Sequence, residues 1–424
     1  MPRTETCSKP ILAAESSERR ENIRVKKIRI GLVGAGFVSH IHMDAYEKVV
    51  GIPVEVAAVV AATRAEAEPF ARRYGIGRVY DDYRQMLDDE EIDIIDVCAP
   101  NILHKQICVD AAEAGKHIIC EKPLTGGFGD GEQAGRLPRI DLYREAMRSA
   151  DQMLAAAKRN NVKVCYAEDF IYAPPVLKAK RLLKQSRGAI LEIRSEESHS
   201  GSHAAYSRYW KLAGGGSLTR LGSHPMGLVI HLKHYEGSLT RGKPVLVKSV
   251  MADVGMLTHT EAFRNCPGEW IVDEWHDVED WATVVLTFED DTKALVLSND
   301  TTLGGIVNTL EVYTTNSVIK CNMASNDSVR AYAPDNDVFG DEYISEKIQT
   351  KAGWTFPSPD EDWMRGYPQE MQDFVEAVYY DRQPVSDGEL GRQVVQAMYA
   401  AYLSAEQGRR INLAELDTGT GNTN

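Results

Sequence analysis

Two stretches hold residues whose types and spacing could do chemistry. Gly34-Ala35-Gly36-Phe37-Val38-Ser39 follows an apolar run at 28–33, and Lys122 lies in Cys120-Glu121-Lys122-Pro123 at the end of another. The first fits the pattern G-x-G-x-x-S. Gly34 permits a tight turn, Gly36 lets backbone amides approach a pyrophosphate, and Ser39 is small enough to keep helix and strand close. A helix opening there turns the positive end of its dipole toward the anion. The second stretch puts a lysine at the C-terminal edge of a buried strand, where open α/β sheets hold their ligands. A phosphate cradle with a strand-end lysine predicts hydride transfer with NAD or NADP. The second strand runs into Val60-Ala61-Ala62-Thr63-Arg64, without a carboxylate to accept from an adenosine ribose. Arg64 is suited to a 2′-phosphate, to stacking on adenine or to capping the next helix, so the choice of cofactor stays open.

The elements that must position these residues follow from the apolar pattern. Runs at 28–33, 54–60, 94–98, 117–120 and 162–166 are rich in Val, Ile and Ala, and helix-like stretches at 65–74, 104–114 and 142–158 separate them. Such alternation predicts a doubly wound parallel sheet. Beyond Glu168, strand-like runs at 190–196, 245–254, 282–288, 293–298, 310–314 and 317–322 follow one another with few helices between. That predicts a mostly antiparallel sheet with one face covered by helices, and segments 370–380 and 390–406 supply helices to cover it or to return to the first unit. The fold class is therefore α/β plus α+β: an N-terminal dinucleotide-binding Rossmann unit at 27–167, then an α+β domain at 168–413. A polar arm at 1–26 and a polar tail at 414–424 flank them. The glycine-rich run 125–131 lacks the Lys-Ser/Thr ending of a phosphate loop. It reads as a flexible insertion, a lid, within 125–140.

Bulk properties narrow the partners. The chain has 424 residues, 43% of them hydrophobic and 26% charged, enough for two separate cores. A formal net charge of -14 argues against nucleic acid, which needs a basic face. No apolar run is long enough to span a bilayer, and the first 27 residues lack the apolar segment of a secretory signal. The seven cysteines are scattered, with no CxxC pair, which predicts free thiols in a reducing cytoplasm.

Taken together, Gly34-Ala35-Gly36 with His42 beyond it, Ala99-Pro100-Asn101-Ile102-Leu103-His104, Glu113-Ala114-Gly115-Lys116-His117 and Glu121-Lys122-Pro123 resemble the Gfo/Idh/MocA oxidoreductases. The resemblance covers nearly everything from Lys27 to about Leu413, and it assigns substrate binding and oligomerisation to the α+β domain at 168–413. It implies that Lys122 lies beside the nicotinamide and touches the reacting hydroxyl, and that His224 is the proton-transferring partner. It implies a cofactor set of Gly34, Gly36, Phe37, Val38, Thr63, Arg64, Pro100, Asn101, His104, Glu121 and Lys122. The candidate substrate set is Lys122, Tyr172, His203, Arg220 and His224. The family's second motif reads Asp-x-Gly-x-His-x-x-Asp, whereas here Arg220 and Gly227 stand at the two aspartate positions. An arginine beside His224 should keep the imidazole neutral; it could grip a substrate oxygen or carboxylate, or equally pair with an acid elsewhere and only shape the pocket. His199, His203, Tyr206 and Arg208 fall in a polar stretch suited to a substrate loop. The acid-rich run His276-Asp277-Val278-Glu279-Asp280 reads as a solvated loop, so no metal is expected. The implied substrate is a sugar, glycoside or cyclitol oxidised at a ring hydroxyl, and the implied assembly is a homodimer or homotetramer. Two other readings stay open: a lyase or glycoside-cleaving enzyme that recycles a tightly held NAD, and a non-catalytic sensor of dinucleotide or sugar.

Overall fold

The computed structural model describes residues 26–131, 134–324 and 328–417. The arm at 1–25, the end of the tail and part of the 125–140 insertion lie outside the described residues. Six strands, β1 (Ile28–Val33), β2 (Val54–Val60), β3 (Arg78–Tyr80), β4 (Ile94–Val97), β5 (His117–Glu121) and β6 (Val164–Ala167), form one sheet in the order β3-β2-β1-β4-β5-β6. Every pairing in it is parallel. The central strands are apolar at nearly every position because helices cover both faces, so alternation would leave polar groups unsolvated. Helices α1 (Phe37–Tyr46), α2 (Arg64–Tyr74), α3 (Tyr83–Leu87), α4 (Asn101–Glu113) and α5 (Arg139–Arg159) make the crossovers. The N-terminus of α2 is capped by the Thr63 hydroxyl, which accepts from Glu66 N.

After β6 the chain enters α6 (Pro174–Ser186) and then β7 (Ile190–Ser198). Two short helices, α7 (Trp210–Ala213) and α8 (Ser217–Arg220), lead into α9 (Ser223–Arg241). Next come β8 (Val247–Gly255), α10 (Glu261–Asn265), β9 (Trp281–Phe288), β10 (Lys293–Asn299), β11 (Val307–Thr314) and β12 (Val318–Asn322). A two-stranded ribbon, β13 (Ala331–Ala333) with β14 (Gly353–Thr355), precedes α11 (Glu361–Arg365), α12 (Tyr367–Tyr379), α13 (Gly388–Gln407) and β15 (Ile411–Asn412). The large second sheet runs β12-β11-β7-β10-β9-β8-β15 and is antiparallel except where β7 pairs with β10. That exception arises because the chain leaves β7 through the long α7–α9 excursion, re-enters the sheet at β8 and comes back through β9 to lay β10 beside β7.

The second sheet has one covered face. Helix α9 packs on β7, and α13 packs on β8, on α9 and on α5 of the first sheet. Helix α13 is therefore a strut between the two sheets, and buried residues of both belong to one continuous core. The edge of β6 is closed by the segment before α13: Tyr166 N donates to Ser386 O, and the Ser386 hydroxyl donates to Tyr166 O. An open parallel edge would otherwise expose unpaired backbone groups.

The insertion departs from expectation. The glycine-rich stretch after β5 is a packed wedge and not a lid: Thr125 to Phe128 are all buried. Trp210 Nε1 donates to Gly127 O at 2.9 Å, and the Glu145 carboxylate accepts from Phe128 N and Gly129 N. A Cβ on Gly127 would stand 2.1 Å from Leu142 O, so glycine is needed here for close approach of two backbones. Gly127→Ala is expected to destabilise the protein by about 2–3 kcal/mol in urea unfolding, because backbone must shift to admit the methyl group. A mobile lid would absorb the same change without loss.

Candidate active site

Strand register builds the site. Val33 lies opposite Val97, Val97 opposite Cys120, and Cys120 opposite Tyr166, so the C-terminal ends of β1, β4, β5 and β6 form one row. The residues that follow each strand share an edge, with neighbouring strands about 4.8 Å apart. Along that edge stand Gly34, Cys98, Lys122 and Glu168.

At the β1 end the backbone of Gly34 has φ +122°, and a Cβ there would meet Cys98 O at 2.4 Å. A Cβ on Gly36, in contrast, would have nothing within 4 Å. No side chain caps the first amides of α1, whose N-cap is Gly36 itself. Ser39 is fully buried under the turn, and Phe37 is exposed at its rim. Open space beside uncapped helix amides fits a pyrophosphate. At the end of β2, Arg64 donates to Glu68 at 2.8 Å and to Asp81 at 3.1 Å. It already has two carboxylate partners.

Two predicted cofactor residues act on the scaffold in this structure. Asn101 is buried and donates to Ala213 O at 2.8 Å, which ties the Pro100 turn to the glycine run 214–216. His104 is fully buried between Pro123 O at 3.0 Å and Ala99 O at 2.8 Å. It steadies the turn that carries Lys122. Glu121 has two tasks: one oxygen accepts from Lys122 N, and the other pairs with His42 Nε2 at 3.1 Å. His42 Nδ1 in turn meets Asp96 at 2.9 Å, and Asp96 also accepts from the Tyr46 hydroxyl. Burial presses this imidazole toward neutrality, but the Cys98 thiol and the Asp96 carboxylate outweigh it and hold its pKa well above the ordinary range.

Lys122 Nζ donates to Arg220 O at 2.7 Å, which brings the end of β5 against the α8–α9 turn. His224 lies on the first turn of α9, 4% exposed and stacked on Phe170 at 4.6 Å. Its Nδ1 is 2.8 Å from Glu168 Oε1 and 3.1 Å from Asp169 Oδ1, while Nε2 lies 3.9 Å from Glu197 Oε2. Donor atoms of Glu168, Asp169 and His224 all fall within 4.8 Å of one another. The expectation of a neutral His224 beside Arg220 is wrong. Burial and the Lys122 ammonium lower its pKa, yet Glu168, Glu197 and Asp169 together raise it to about 10. Arg220 instead turns its guanidinium to Asp300 and lies over the Trp275 ring at 4.4 Å. Burial lifts Asp300, and its pKa stays raised, to about 6, although Arg220 pulls it down.

The remaining candidates separate. Tyr172 is 4% exposed, and its hydroxyl donates to Asp373 at 2.8 Å and accepts from Ser386 N, so it braces the core. His203 is exposed on the 202–206 stretch, while His199 is buried and its Nδ1 accepts from Gly201 N. Burial, then the positive field of Lys347, Arg220, Arg365 and Lys122, holds His199 well below the usual imidazole range. The acid-rich run is not a solvated loop. Asp277 accepts from Trp210 N, Asp280 from Leu257 N and Thr258 N, and Glu279 from Gly216 N, Leu218 N and the Tyr402 hydroxyl. Glu279 therefore fixes the start of α8, and through it the approach to Arg220 and His224. The neighbours missed from sequence are Asp96, Glu197 and Asp300, whereas Glu168 lies in the run 168–172 that the family resemblance places at the crossing into the second domain, bordering the substrate. The only signal of the missed three was a carboxylate inside, or just after, a strand.

Residues 28–139 match the model of an oxidoreductase family with an NAD-binding Rossmann fold, and residues 176–320 match the GFO/IDH/MocA C-terminal domain. Among curated proteins, levoglucosan dehydrogenase of Pseudarthrobacter phenanthrenivorans is 30% identical over 221 residues, 49% of this chain and 52% of that protein. The trans-1,2-dihydrobenzene-1,2-diol dehydrogenase of Danio rerio is 26% identical over 203 residues, 48% of this chain and 55% of that protein. The chain thus matches about half the length of these relatives. Among solved structures, GenD2 from gentamicin A biosynthesis in complex with NAD superposes with a TM-score of 0.74 at 25% identity, over 92% of this chain and 97% of that one. Levoglucosan dehydrogenase with NADH and L-sorbose shares the fold, with a TM-score of 0.69 at 22% identity, over 92% and 99% of the two chains.

Replacing His42 with phenylalanine leaves Asp96 and Glu121 buried without their cation. Loss of about 3–5 kcal/mol in denaturant unfolding is expected, against a near-neutral change if the three groups were not charged partners.

Proposed function

This chain belongs to the Gfo/Idh/MocA oxidoreductase family, and from that membership and the geometry around Lys122 we propose that it is an NAD-dependent dehydrogenase of a ring hydroxyl in a sugar, glycoside or cyclitol. One observation carries the reading. Lys122 and His224 converge at the strand edge that also carries the open Gly34–Gly36 turn, and Lys122 has no carboxylate partner among the described residues. Relatives named for levoglucosan, a dihydrodiol and D-apiose support a small polyhydroxylated substrate.

NAD seated on the α1 amides supplies a hydride acceptor. The chain's own groups do the rest. Lys122 donates to the substrate oxygen in place of Arg220 O and stabilises negative charge developing there. His224 Nε2 takes the hydroxyl proton in oxidation and returns it in reduction. Phe170, buried and stacked on the His224 ring, limits water there. NAD is preferred to NADP because Arg64 is already paired with Glu68 and Asp81, and those carboxylates would repel a 2′-phosphate. Tyr172 and the exposed His203 are not part of this reading.

Free thiols at Cys98, Cys108, Cys120, Cys165, Cys266 and Cys321 support a reducing, cytoplasmic setting. No helix among the described residues is long and apolar enough to cross a membrane. Leu191, Met251, Leu295 and Val318 are exposed apolar residues on the second sheet and support a homodimer or homotetramer through that face. A second reading, redox-recycling cleavage, is favoured by one observation: Glu168, Asp169 and Glu197 supply more proton-handling groups than one alcohol oxidation requires.

Purified protein with NAD and a panel of sugars, glycosides and inositols is expected to accumulate NADH with one substrate class. Substrate consumed without NADH would favour recycling instead. Lys122→Met is expected to bind NAD as before and to lose turnover on the order of a hundredfold or more. Full activity in that variant overturns the reading. Because the carboxylates keep His224 protonated, kcat for oxidation should rise through the alkaline range as the imidazolium loses its proton. Ketone reduction, which needs that proton, should fall over the same range. A pH profile in both directions checks the sign.

A further inference from the structure

We propose that Glu168 is the positioning residue of His224, and that Gly227 is glycine because this carboxylate occupies the place its side chain would take. The inference rests on the dehydrogenase reading and deepens it.

Helix α9 is long and buried along most of its length, and a glycine in its interior weakens it relative to alanine. Gly227 is also one of the two positions where this chain departs from the Asp-x-Gly-x-His-x-x-Asp pattern. A Cβ at Gly227 would stand 3.0 Å from Glu168 Cγ and 3.0 Å from Glu168 Oε2. Residues 224 and 227 are three apart on a helix and so share a face. The carboxylate that a side chain at 227 would have offered to the imidazole comes instead from the end of β6.

The geometry makes Glu168 a holder and not a bystander. Its Oε1 lies 2.8 Å from His224 Nδ1, its side chain is fully buried, and Phe170 fixes the ring plane from one face. Its Oε2 has no hydrogen-bond partner and points to the space in front of Gly227. With Nδ1–H donated to Glu168, the ring turns Nε2 away from β6 and toward Glu197, which leaves that nitrogen as the one able to exchange a proton with substrate. The other ionisable groups facing this pair are Lys122 just after β5, Tyr166 from β6, Asp169 after β6, Glu197 from β7 and Glu370 from α12. Glu168 makes a shorter contact with the ring than Asp169 or Glu197 does. Arg220, at the other departing position, is turned to Asp300 and makes no such contact.

The test uses the full chain with two independent readouts. In the first, histidine ring resonances are followed by NMR against pH, with His224→Gln assigning the signal, so no substrate is needed. In Glu168→Gln the His224 ring should lose its proton at distinctly lower pH than in the parent. In the second, Glu168→Gln should lower the kcat reached on the alkaline plateau, where the ring is already deprotonated, on the order of a hundredfold, with the Kd for NAD unchanged and the alkaline limb moved toward neutral pH. Glu168→Ala combined with Gly227→Asp, which moves the carboxylate back onto α9, should recover about tenfold over Glu168→Ala alone. Parental ring titration in Glu168→Gln overturns the inference, as does an unchanged kcat and pH limb. If Glu168→Gln does not fold, Gly227→Ala presses on the same carboxylate and should shift the same ring signal downward, and an unshifted signal is the negative result. If the parent oxidises no substrate, the dehydrogenase reading fails, and the ring titration still decides whether Glu168 governs His224.

Discussion

A carboxylate removed from water must find a cation or a set of donors, and the cost of leaving it alone exceeds that of almost any other single defect. That constraint organises the C-terminal edge of the first sheet and what packs on it. Asp96 and Glu121 are joined through His42; Glu168 and Asp169 meet His224; Asp300 takes Arg220; Glu361 and Glu346 take Arg365. Once these pairs are made, Lys122 is left donating to a backbone carbonyl and not to a carboxylate. A substrate oxygen can displace that contact without breaking an ion pair. The availability of Lys122 is thus a consequence of how its neighbours neutralise one another.

Backbone donors do the corresponding work on the other side of the cleft. Glu279 collects the amides of Gly216 and Leu218 together with the Tyr402 hydroxyl, and a Cβ on Gly216 would stand 1.9 Å from Glu279 O. Tyr399 donates to Gly214 O from the same helix, α13, that also packs on α5. The run Gly214-Gly215-Gly216 is therefore pulled tight between the two sheets. Its close approach sets where α8 begins, and the α8–α9 turn then delivers Arg220 O to Lys122 and His224 to Glu168. Trp210 and the wedge at Gly127 complete that anchorage. Distant helices position Lys122 and His224 through glycine backbone.

The parts legible in the sequence were those set by short-range rules. Strand-turn-helix at Gly34 and the alternation of apolar runs with helical segments depend on residues a few positions apart, and the parallel order followed from them. The antiparallel majority of the second sheet was legible for the same reason. Its parallel β7–β10 pair was not, because nothing local says that the chain returns to lie beside β7. The glycine-rich wedge was misread since glycine serves both mobility and tight packing. Only the position of Leu142 and Trp210 against it distinguishes the two.

From its sequence alone, the chain determined a dinucleotide cradle, a strand-end lysine and a histidine in family order, because backbone conformation and helix dipoles act over one or two turns. The tertiary structure decided the charge state of that histidine. Arg220, four residues from His224, looked like its electrostatic neighbour, yet the turn between α8 and α9 sends the guanidinium to Asp300. The field on the ring comes from Glu168, Asp169 and Glu197, some thirty to sixty positions away in the chain and a few ångströms away in space. Electrostatic energy falls with distance through the folded interior and takes no account of distance along the chain, so only the fold could assign it.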